Sequence, residues 1–377
     1  MADASDPIPE LRIVEDHLRT VGSTYLDAPP GSRVGLSLTG HEVRPASRIY
    51  RFELTASGRR LDVIAKVPLA RASPAPVAAS KRPRLVNVVA AHQKAALEFA
   101  TLRNVAQTFG RLDDDRFGWV RPLAHIEEAG ALLLVAEPVH DLRSLIRWGY
   151  LLRPSSRRNA LTALARAGAW LRTFHDINLP HARERHVNRD SVADLLRQMA
   201  DYLGARVTHV PGAADVLMRA SDAARAVLPE ALALGLGHGD LAPRNILVRT
   251  DGRVMMIDSL GRWRTCVLED LGYALVAMKA SPALVTLVPR PMLAWPSRCG
   301  EELLRGYFGA QQIPRASIAV YQLVVLGDRW AATVERRMMR GGRDRHRQGW
   351  MDRGYLRYAR SCLSEAESDL RTLTRLT

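Results

Sequence analysis

Three polar residues between positions 237 and 258 have the types and spacing that phosphate chemistry needs. In the segment GHGDLAPRNILV, residues 237–248, Asp240 and Asn245 are five positions apart, and Asp258 follows thirteen positions after Asn245. A carboxylate and an amide oxygen are ligands that Mg²⁺ prefers, together with phosphate oxygens. The second carboxylate, from Asp240, stays free to accept a proton from an attacking hydroxyl. The set therefore favours transfer of a phosphoryl group to an alcohol.

A predicted β-hairpin positions these residues. Two short apolar runs, Ile246 to Arg249 and Val254 to Ile257, are joined by Asp251-Gly252. Asp-Gly between apolar runs is a strong hairpin signal. We expect the hairpin to return the chain so that Asp258 lies beside Asn245.

The same segment resembles a known family. HGDLAPRNILV followed by MMIDSLG is similar to the catalytic loop and metal-binding segment of the aminoglycoside-phosphotransferase and choline-kinase-like family, which writes HGDxxxxN where protein kinases write HRDxxxxN. The resemblance implies that Asp240 is the catalytic base and that Asn245 and Asp258 bind Mg²⁺. It also implies that His238 is a structural brace and that ATP, or GTP, is the phosphate donor.

A lysine on a predicted strand extends the resemblance. Lys66, in LDVIAKV, is one of only four lysines in the chain and resembles the lysine that holds the α- and β-phosphates in kinases. Glu98, on the following predicted helix, would be its ion-pair partner, because a carboxylate fixes the direction of a flexible ammonium group. The alternatives are a solvent-facing lysine and a solvated helix face.

The run LLLVAEPV, residues 132–139, resembles the strand and hinge that hold adenine. The backbone from Glu137 to Val139 would hydrogen-bond the base. Pro138 has no N–H, so the donor is expected to be Val139.

Two features lie near the expected phosphates. One departs from the family pattern, and the other is an additional arginine. The loop expected over the phosphates, His41 to Ser47, is not glycine-rich, although Ser47 and nearby backbone N–H groups could still contact phosphate. Arg244 lies four residues after Asp240, where it would touch the transferring phosphoryl group or an acidic substrate. The alternative is an ordinary surface arginine in an arginine-rich chain.

Three further residues are expected to be structural. The resemblance implies that Asp270 is a helix N-cap and loop brace. His175 is expected to be a packing or capping residue, and Ser191 a helix N-cap.

The periodicity of the chain predicts strands first and helices afterwards. The fold class is therefore α+β, with a small antiparallel β-rich N-lobe, residues 1–137, and a larger helical C-lobe, residues 138–377. The family resemblance implies that this bilobal arrangement is protein-kinase-like. A mobile loop is expected from Ala70 to Arg84. The predicted strands are Arg33–Leu38, Arg48–Leu54, Leu61–Val67 and Gly130–Val135, and the predicted helices are Ile8–Thr24, Val86–Phe109, Asn159–Phe174, Arg189–Leu203 and Ala213–Val227.

Composition restricts the partners. The formal charge is +15, but the cationic residues are almost all arginine, which indicates a compositional bias, so we do not expect a nucleic-acid partner. The charge disfavours a polycationic substrate and favours an anionic one. Cys266, Cys299 and Cys362 show no CxxC spacing, which predicts neither a zinc site nor disulfides and indicates a reducing, cytoplasmic protein.

The C-terminal region from Glu335 to Arg360 contains nine arginines with Trp350, Tyr355 and Tyr358 among them. One hypothesis is peripheral association with the inner face of an anionic membrane and a lipid-linked or anionic acceptor. The alternative is a solvated helical surface.

Three functions remain open at this point. The sequence favours an active small-molecule kinase that phosphorylates a hydroxyl of a sugar, amino alcohol, antibiotic or glycolipid. The others are a nucleotide-binding pseudokinase that acts as a scaffold through its basic region, and a protein kinase.

Overall fold

The computed structural model describes residues 9–69, 82–85, 89–150, 154–279, 294–339 and 345–374. The chain forms two compact units. The first contains described residues 9–69, 89–139 and 249–260, and the second contains 82–85, 140–248 and the described residues from 261 onward. The break at 139/140 lies close to the 137/138 boundary expected from sequence. Two short segments depart from that division: residues 82–85 group with the second unit and residues 249–260 with the first.

The first unit is a five-stranded antiparallel sheet with helices. Its strand order is β1-β2-β3-β5-β4, and each neighbouring pair is antiparallel. Strand β10 belongs to the same unit. The elements are α1 (Pro9–Tyr25), β1 (Gly35–Arg44), β2 (Ser47–Ala56), β3 (Arg59–Pro68), α2 (Ala91–Gly110), β4 (Pro122–Ile126), β5 (Ala131–Val135) and β10 (Val254–Met256).

Alternation along β2 builds the core of this unit. Phe52, Leu54 and Ala56 are buried, while the residues between them are more exposed. They pack in one cluster with Val14 and Leu18 of α1. Burying one such large apolar side chain contributes roughly 2 kcal/mol, so the N-terminal helix is held on the sheet by its apolar face.

The loop expected at His41 to Ser47 is reduced to a two-residue turn at positions 45–46. Strand β1 continues to Arg44, which pairs directly with Ser47 across a two-residue turn. The His41 ring stacks on Tyr50 of β2 with ring centroids 4.8 Å apart. Cross-strand pairing therefore extends through most of the segment that was expected to be a loop.

The loop predicted from Ala70 to Arg84 lies mostly outside the described residues. Its described end belongs to the second unit, where Arg82 pairs with Asp328 and Glu335 at 2.8 and 3.0 Å. Helix α2 begins at Ala91, later than the predicted start at Val86, and residues 86–88 also lie outside the described part.

The second unit is mostly helical. Strands β7, β11 and β8 form a small sheet. A single 3-10 turn, Pro243–Asn245, precedes β9, along which the chain passes to the first unit. The elements are β6 (Val139–Asp141), α3 (Leu142–Tyr150), α4 (Pro154–His175), β7 (Arg183–Glu184), α5 (Arg189–Gly204), α6 (Ala213–Val227), β8 (Leu234–Leu236), β9 (Ile246–Arg249), β11 (Trp263–Cys266), α7 (Leu268–Lys279), α8 (Ala294–Phe308), α9 (Arg315–Met339) and α10 (Arg345–Thr374).

Helices α4 and α8 touch through their backbones. A Cβ atom placed on Gly306 would lie 1.9 Å from the carbonyl oxygen of Ala165, and one on Gly168 would lie 2.1 Å from that of Leu303. No side chain fits at either position, so the two glycines permit this contact. The contact fixes the end of α4, where His175 lies.

The N-cap of α5 was misassigned from sequence. Asn188 is the N-cap, and its side chain accepts a hydrogen bond from Ser191 N, while the Ser191 side chain accepts from Asn188 N. The predicted cap Ser191 is therefore the third helical residue of a capping box.

Two of the three aromatic residues in the basic C-terminal region pack against the rest of the protein. Tyr355 is buried, and the Tyr358 hydroxyl donates to Gln322 at 2.5 Å. Trp350 remains 61% exposed. No helix within the described residues is long and apolar enough to cross a membrane.

Burial of Glu269 generates a pH prediction. Burial raises the pKa of Glu269 to about 7, against the opposing effect of Arg185, with which it forms an ion pair. Because the folded pKa lies above the unfolded one, the native state favours the protonated form, and stability falls as pH rises from about 4.5 to about 7. We expect Glu269→Gln to reduce the loss of unfolding free energy between pH 5 and pH 8 by about 2–3 kcal/mol.

Urea denaturation at several pH values measures this slope. The control is Glu302→Gln, on a surface ion pair with Arg305, which is expected to leave the slope unchanged. A variant at position 269 with the wild-type slope would contradict the prediction.

Candidate active site

In the first unit, two carboxylate side chains converge on Lys66. Its ammonium group donates to both carboxylate oxygens of Glu98, at 2.9 and 2.7 Å, and to Asp258. Strand β3 places Lys66 opposite Ile49 and Leu132, its neighbours on either side in the sheet. The ion pair with Glu98 that the sequence predicted is therefore present.

Burial and the two carboxylates determine the charge and the position of the Lys66 ammonium group. Glu98 is almost completely buried. Burial alone would lower the pKa of Lys66, but the carboxylates of Glu98 and Asp258 raise it above its ordinary value. Lys66 therefore keeps its positive charge at any physiological pH, on an ammonium group that two carboxylates hold in place.

Asp258 reaches the cluster through an uncommon backbone conformation. It follows β10 with φ of 64°, in the left-handed region that non-glycine residues rarely adopt. Such a conformation costs on the order of 1 kcal/mol or more and is held by its surroundings. Its carboxylate is 38% exposed and contacts Lys66.

In the second unit, Asp270 holds the loop at residues 237–245. Its carboxylate accepts hydrogen bonds from the backbone N–H of His238 and Gly239, at 2.6 and 2.9 Å, and contacts Nε2 of His175 at 3.2 Å. The other ring nitrogen of His175 bonds to the Tyr307 hydroxyl at 2.8 Å. Asp270 is the third residue of α7 and not its N-cap, but the predicted role as loop brace is confirmed.

The loop conformation depends on Gly239, whose φ is 82°. A glycine adopts this region at no steric cost. The backbone N–H of Asp240 points to Nδ1 of His238 at 3.4 Å. His238 therefore packs within the loop, as predicted.

Three side chains hold the carboxylate of Asp240. The Tyr273 hydroxyl donates to Oδ1 at 2.5 Å, Arg244 donates to Oδ2 at 2.6 Å, and Asn245 Nδ2 donates to Oδ2 at 3.1 Å. Asn245 also donates to the backbone carbonyl of Asp240 at 2.8 Å. The described structure thus brings Asp240, Arg244 and Asn245 together.

Tyr273 is a residue that sequence reasoning missed. It lies three residues after Asp270, so one face of α7 presents both side chains to the loop. Burial raises the pKa of Tyr273, and the nearby Asp240 carboxylate raises it further. The phenol therefore remains a hydrogen-bond donor at neutral pH.

The residues of the expected hinge follow β5 in the first unit. The Glu137 carboxylate pairs with Arg249 at 2.9 Å, and Val139 begins β6. Ser47 is a buried residue at the start of β2. Roles for these three residues in nucleotide binding stay predictions.

Comparison with known proteins decides the family. The sequence profile of the phosphotransferase enzyme family matches residues 50–312. The chain belongs to this family. The match confirms the resemblance inferred from HGDLAPRNILV and extends beyond it to the start of the C-terminal helices. A comparison with curated protein sequences gave no match.

Solved structures agree on the fold of this phosphotransferase. A choline/ethanolamine kinase family protein from Mesorhizobium loti has 17% identity and a TM-score of 0.52, covering 94% of this chain and 96% of its own. A macrolide 2'-phosphotransferase type I has 13% identity, a TM-score of 0.50 and coverage of 93% and 96%. The fold class is α+β and protein-kinase-like, as predicted.

A third neighbour was solved with a nucleotide. It is a spectinomycin phosphotransferase in complex with ADP and spectinomycin, with 10% identity, a TM-score of 0.50 and coverage of 92% of this chain and 98% of its own.

The residues expected to bind magnesium have suitable donor atoms. The amide nitrogen of Asn245 is engaged by Asp240, which leaves its amide oxygen as the ligand atom. Asp258 supplies a partly exposed carboxylate. These are hard oxygen ligands of the kind Mg²⁺ prefers. Within the described ranges, no group of three or more His, Cys, Asp or Glu could hold a metal.

The brace at Asp270 can be tested without any substrate. Asp270→Asn replaces a carboxylate with an amide whose NH₂ group cannot accept, so one loop N–H loses its partner. Hydrogen bonds to a buried charge contribute about 1.5–3 kcal/mol each, and we expect a loss of about 3 kcal/mol in unfolding free energy. We also expect faster amide exchange at His238 and Gly239.

Urea denaturation and hydrogen exchange measure the two effects. The control is Asp194→Asn, whose exposed carboxylate pairs with Arg225 on the surface. Equal stability and unchanged exchange in Asp270→Asn would show that the loop is held by other contacts.

Proposed function

We propose that this phosphotransferase transfers the γ-phosphate of ATP or GTP to a hydroxyl of a small molecule, with Asp240 as the base. The observation that carries the proposal is the Asp240 carboxylate, which Tyr273, Arg244 and Asn245 hold on a loop braced by Asp270. A base must be fixed in direction to act on one hydroxyl.

Asp240 retains capacity to accept a proton. Each carboxylate oxygen can accept two hydrogen bonds, and Oδ1 accepts one, from Tyr273, among the bonds found in the described structure. The hydroxyl of the acceptor would donate to Oδ1. Its oxygen then forms a bond to the γ-phosphorus, the bond from that phosphorus to the bridging oxygen breaks, the proton passes to Asp240, and a nucleoside diphosphate leaves.

Lys66 would supply positive charge to the nucleotide. Phosphoryl transfer depends on positioning and on neutralising negative charge, more than on covalent participation of the protein. The Lys66 ammonium, directed by Glu98, would contact the α- and β-phosphates. Asn245 and Asp258 would hold Mg²⁺, which when bound neutralises charge on the phosphate oxygens.

The proposed nucleotide contacts include the expected hinge. The backbone between Glu137 and Val139 would bind the base, with Val139 as the donor, and Ser47 would lie near the phosphates. A nucleotide donor is supported by the ADP complex of the spectinomycin phosphotransferase. A hydroxyl acceptor is supported by the family match.

The acceptor is proposed to be a sugar or another small alcohol, free or attached to a lipid. Exposed Trp350, within the arginine-rich region, supports the lipid-attached form.

A second candidate function is a nucleotide-binding scaffold with weak catalysis. It is favoured by the tight β1–β2 turn at residues 45–46, which lacks glycine.

The central test is turnover. With magnesium, radiolabelled ATP or GTP, and a pool of soluble and lipid-linked alcohols, Asp240→Asn is expected to lower label transfer by about 10³-fold or more while nucleotide affinity stays nearly unchanged. The control is Asp194→Asn, another carboxylate paired with arginine, which should behave as wild type. Nucleotide binding without transfer to any alcohol would favour the scaffold.

The role of Lys66 has its own test. Lys66→Met removes the cation, and we expect the Kd for the nucleotide to rise by about ten-fold or more, because charge-assisted contacts to phosphate contribute more than 1.4 kcal/mol. Glu98→Gln should give a smaller rise, since the lysine keeps its contact with Asp258. Lys279→Met, on α7, is the matched control.

Calorimetric titration with the nucleotide measures these affinities, after thermal unfolding has shown that each variant is folded. An unchanged Kd in folded Lys66→Met would remove Lys66 from the nucleotide site.

A further inference from the structure

A second arginine lies beside the proposed base. The guanidinium carbon of Arg329, on α9, is 4.4 Å from the centre of the Tyr273 ring. The hydroxyl of that ring donates to Asp240 Oδ1 at 2.5 Å, and Arg244 lies 2.6 Å from Oδ2. Arg244 and Arg329 both also interact with the Tyr273 side chain. Two cations therefore surround the phenol that holds the base.

Arg329 has no acidic partner within the part of the chain that the structure describes. The acidic residues on its own helix are used elsewhere. Asp328 and Glu335 both pair with Arg82, at 2.8 and 3.0 Å. The group facing Arg329 from α7 is the Tyr273 ring, whose π-face attracts a cation without neutralising it.

Among the described residues of this unit, a second arginine–tyrosine contact lies remote in sequence from Asp240. Arg206 stacks over Tyr202 on α5 at 4.0 Å. There the Arg206 guanidinium also donates to the backbone carbonyl of Tyr202 at 3.3 Å. The Arg206–Tyr202 pair therefore serves as a control for the structural effect of an arginine–tyrosine contact away from Asp240.

We propose that the acceptor is an anionic alcohol whose phosphate or carboxylate group binds Arg329, with Arg244 as the second cation. This inference rests on the proposed function and specifies its acceptor. A hydroxyl that donates to Asp240 Oδ1 lies beside the Tyr273 hydroxyl, so the rest of the acceptor lies within reach of the groups that contact Tyr273.

Charge selects among acceptors at such a site. An arginine pairs with a phosphate or carboxylate through two parallel hydrogen bonds, which gives direction as well as attraction. An ammonium group on the acceptor would meet two like charges and be disfavoured. The formal charge of +15 acts in the same sense, because it raises the local concentration of anions.

The class of acceptor is tested with a fractionated extract. A low-molecular-weight extract of bacterial cells is freed of nucleotides on charcoal and separated by ion exchange at pH 7 into anionic, neutral and cationic fractions. Each fraction is incubated with wild-type enzyme, magnesium and radiolabelled ATP. We expect label transfer in the anionic fraction, and alkaline phosphatase pretreatment of that fraction distinguishes phosphate esters from carboxylates.

The outcomes separate the two proposals. Transfer confined to the neutral or cationic fraction would overturn the anionic acceptor and leave phosphotransfer intact. Absence of transfer from every fraction, together with absence of transfer to the soluble and lipid-linked alcohols of the turnover test, would contradict phosphotransfer itself, and the acceptor inference with it.

Arg329 is tested by variants with the labelled fraction as acceptor. Arg329→Gln is expected to raise the apparent KM for the acceptor by about ten-fold or more, with kcat and the KM for ATP within two- to three-fold of wild type. Arg329→Lys keeps the charge and should restore most of the affinity. Arg206→Gln removes the reference contact and should leave all three constants unchanged.

Two results would overturn the role of Arg329. If Arg329→Gln raises the KM for ATP and not for the acceptor, the cation serves the nucleotide. If kcat alone falls, equally in Arg329→Gln and Arg329→Lys, the side chain only supports Tyr273.

Discussion

The loop at residues 237–245 depends on the hydrogen bonds that the buried carboxylate of Asp270 accepts. A buried charge is costly unless hydrogen bonds and opposite charges surround it, and here two backbone N–H groups and His175 do so. Burial alone would raise the pKa of Asp270, but the hydrogen bonds from His175 and from the backbone N–H of His238 lower it below its ordinary value. The carboxylate stays ionised, and the loop has one conformation that satisfies it.

The directions of the other charged groups follow from similar constraints. Asp240 is held by donors from its own loop and from α7. Lys66 is held by a carboxylate from α2 and by Asp258, whose left-handed backbone directs its side chain. In each case, contacts in the folded protein fix a side chain that could otherwise rotate. Ligand binding then costs less conformational entropy.

Local signals in the sequence predicted a large part of this arrangement. The Asp-Gly turn and the apolar runs beside it located the hairpin strands, and alternation located β2, because both depend on residues within a few positions. The ion pair between Lys66 and Glu98 was found by resemblance. The continuation of β1 to Arg44 was not found, because it depends on pairing with β2, where His41 lies opposite Tyr50.

Tyr273 and Arg329 could not be found in the same way. Tyr273 meets Asp240 from 33 residues further along the chain, and Arg329 meets Tyr273 from a different helix. Neither residue belongs to a short motif, and an arginine attracts no attention in a chain with 54 basic residues. The N-cap of α5 was missed for a smaller reason: Asn188 and Ser191 exchange hydrogen bonds, and composition alone does not distinguish the two ends of that pair.

The backbone contact between α4 and α8 determines how the loop at residues 237–245 responds to substitutions at that contact. Gly306 allows the two helices to touch without intervening side chains, and the next residue, Tyr307, bonds to His175, the final residue of α4. His175 in turn contacts Asp270. The position of the loop therefore depends on the backbone contact between α4 and α8. No flexible side chain lies at that contact to absorb a shift. A single added methyl group at Gly306 would clash with the Ala165 carbonyl, and the resulting shift would reach the loop that carries Asp240.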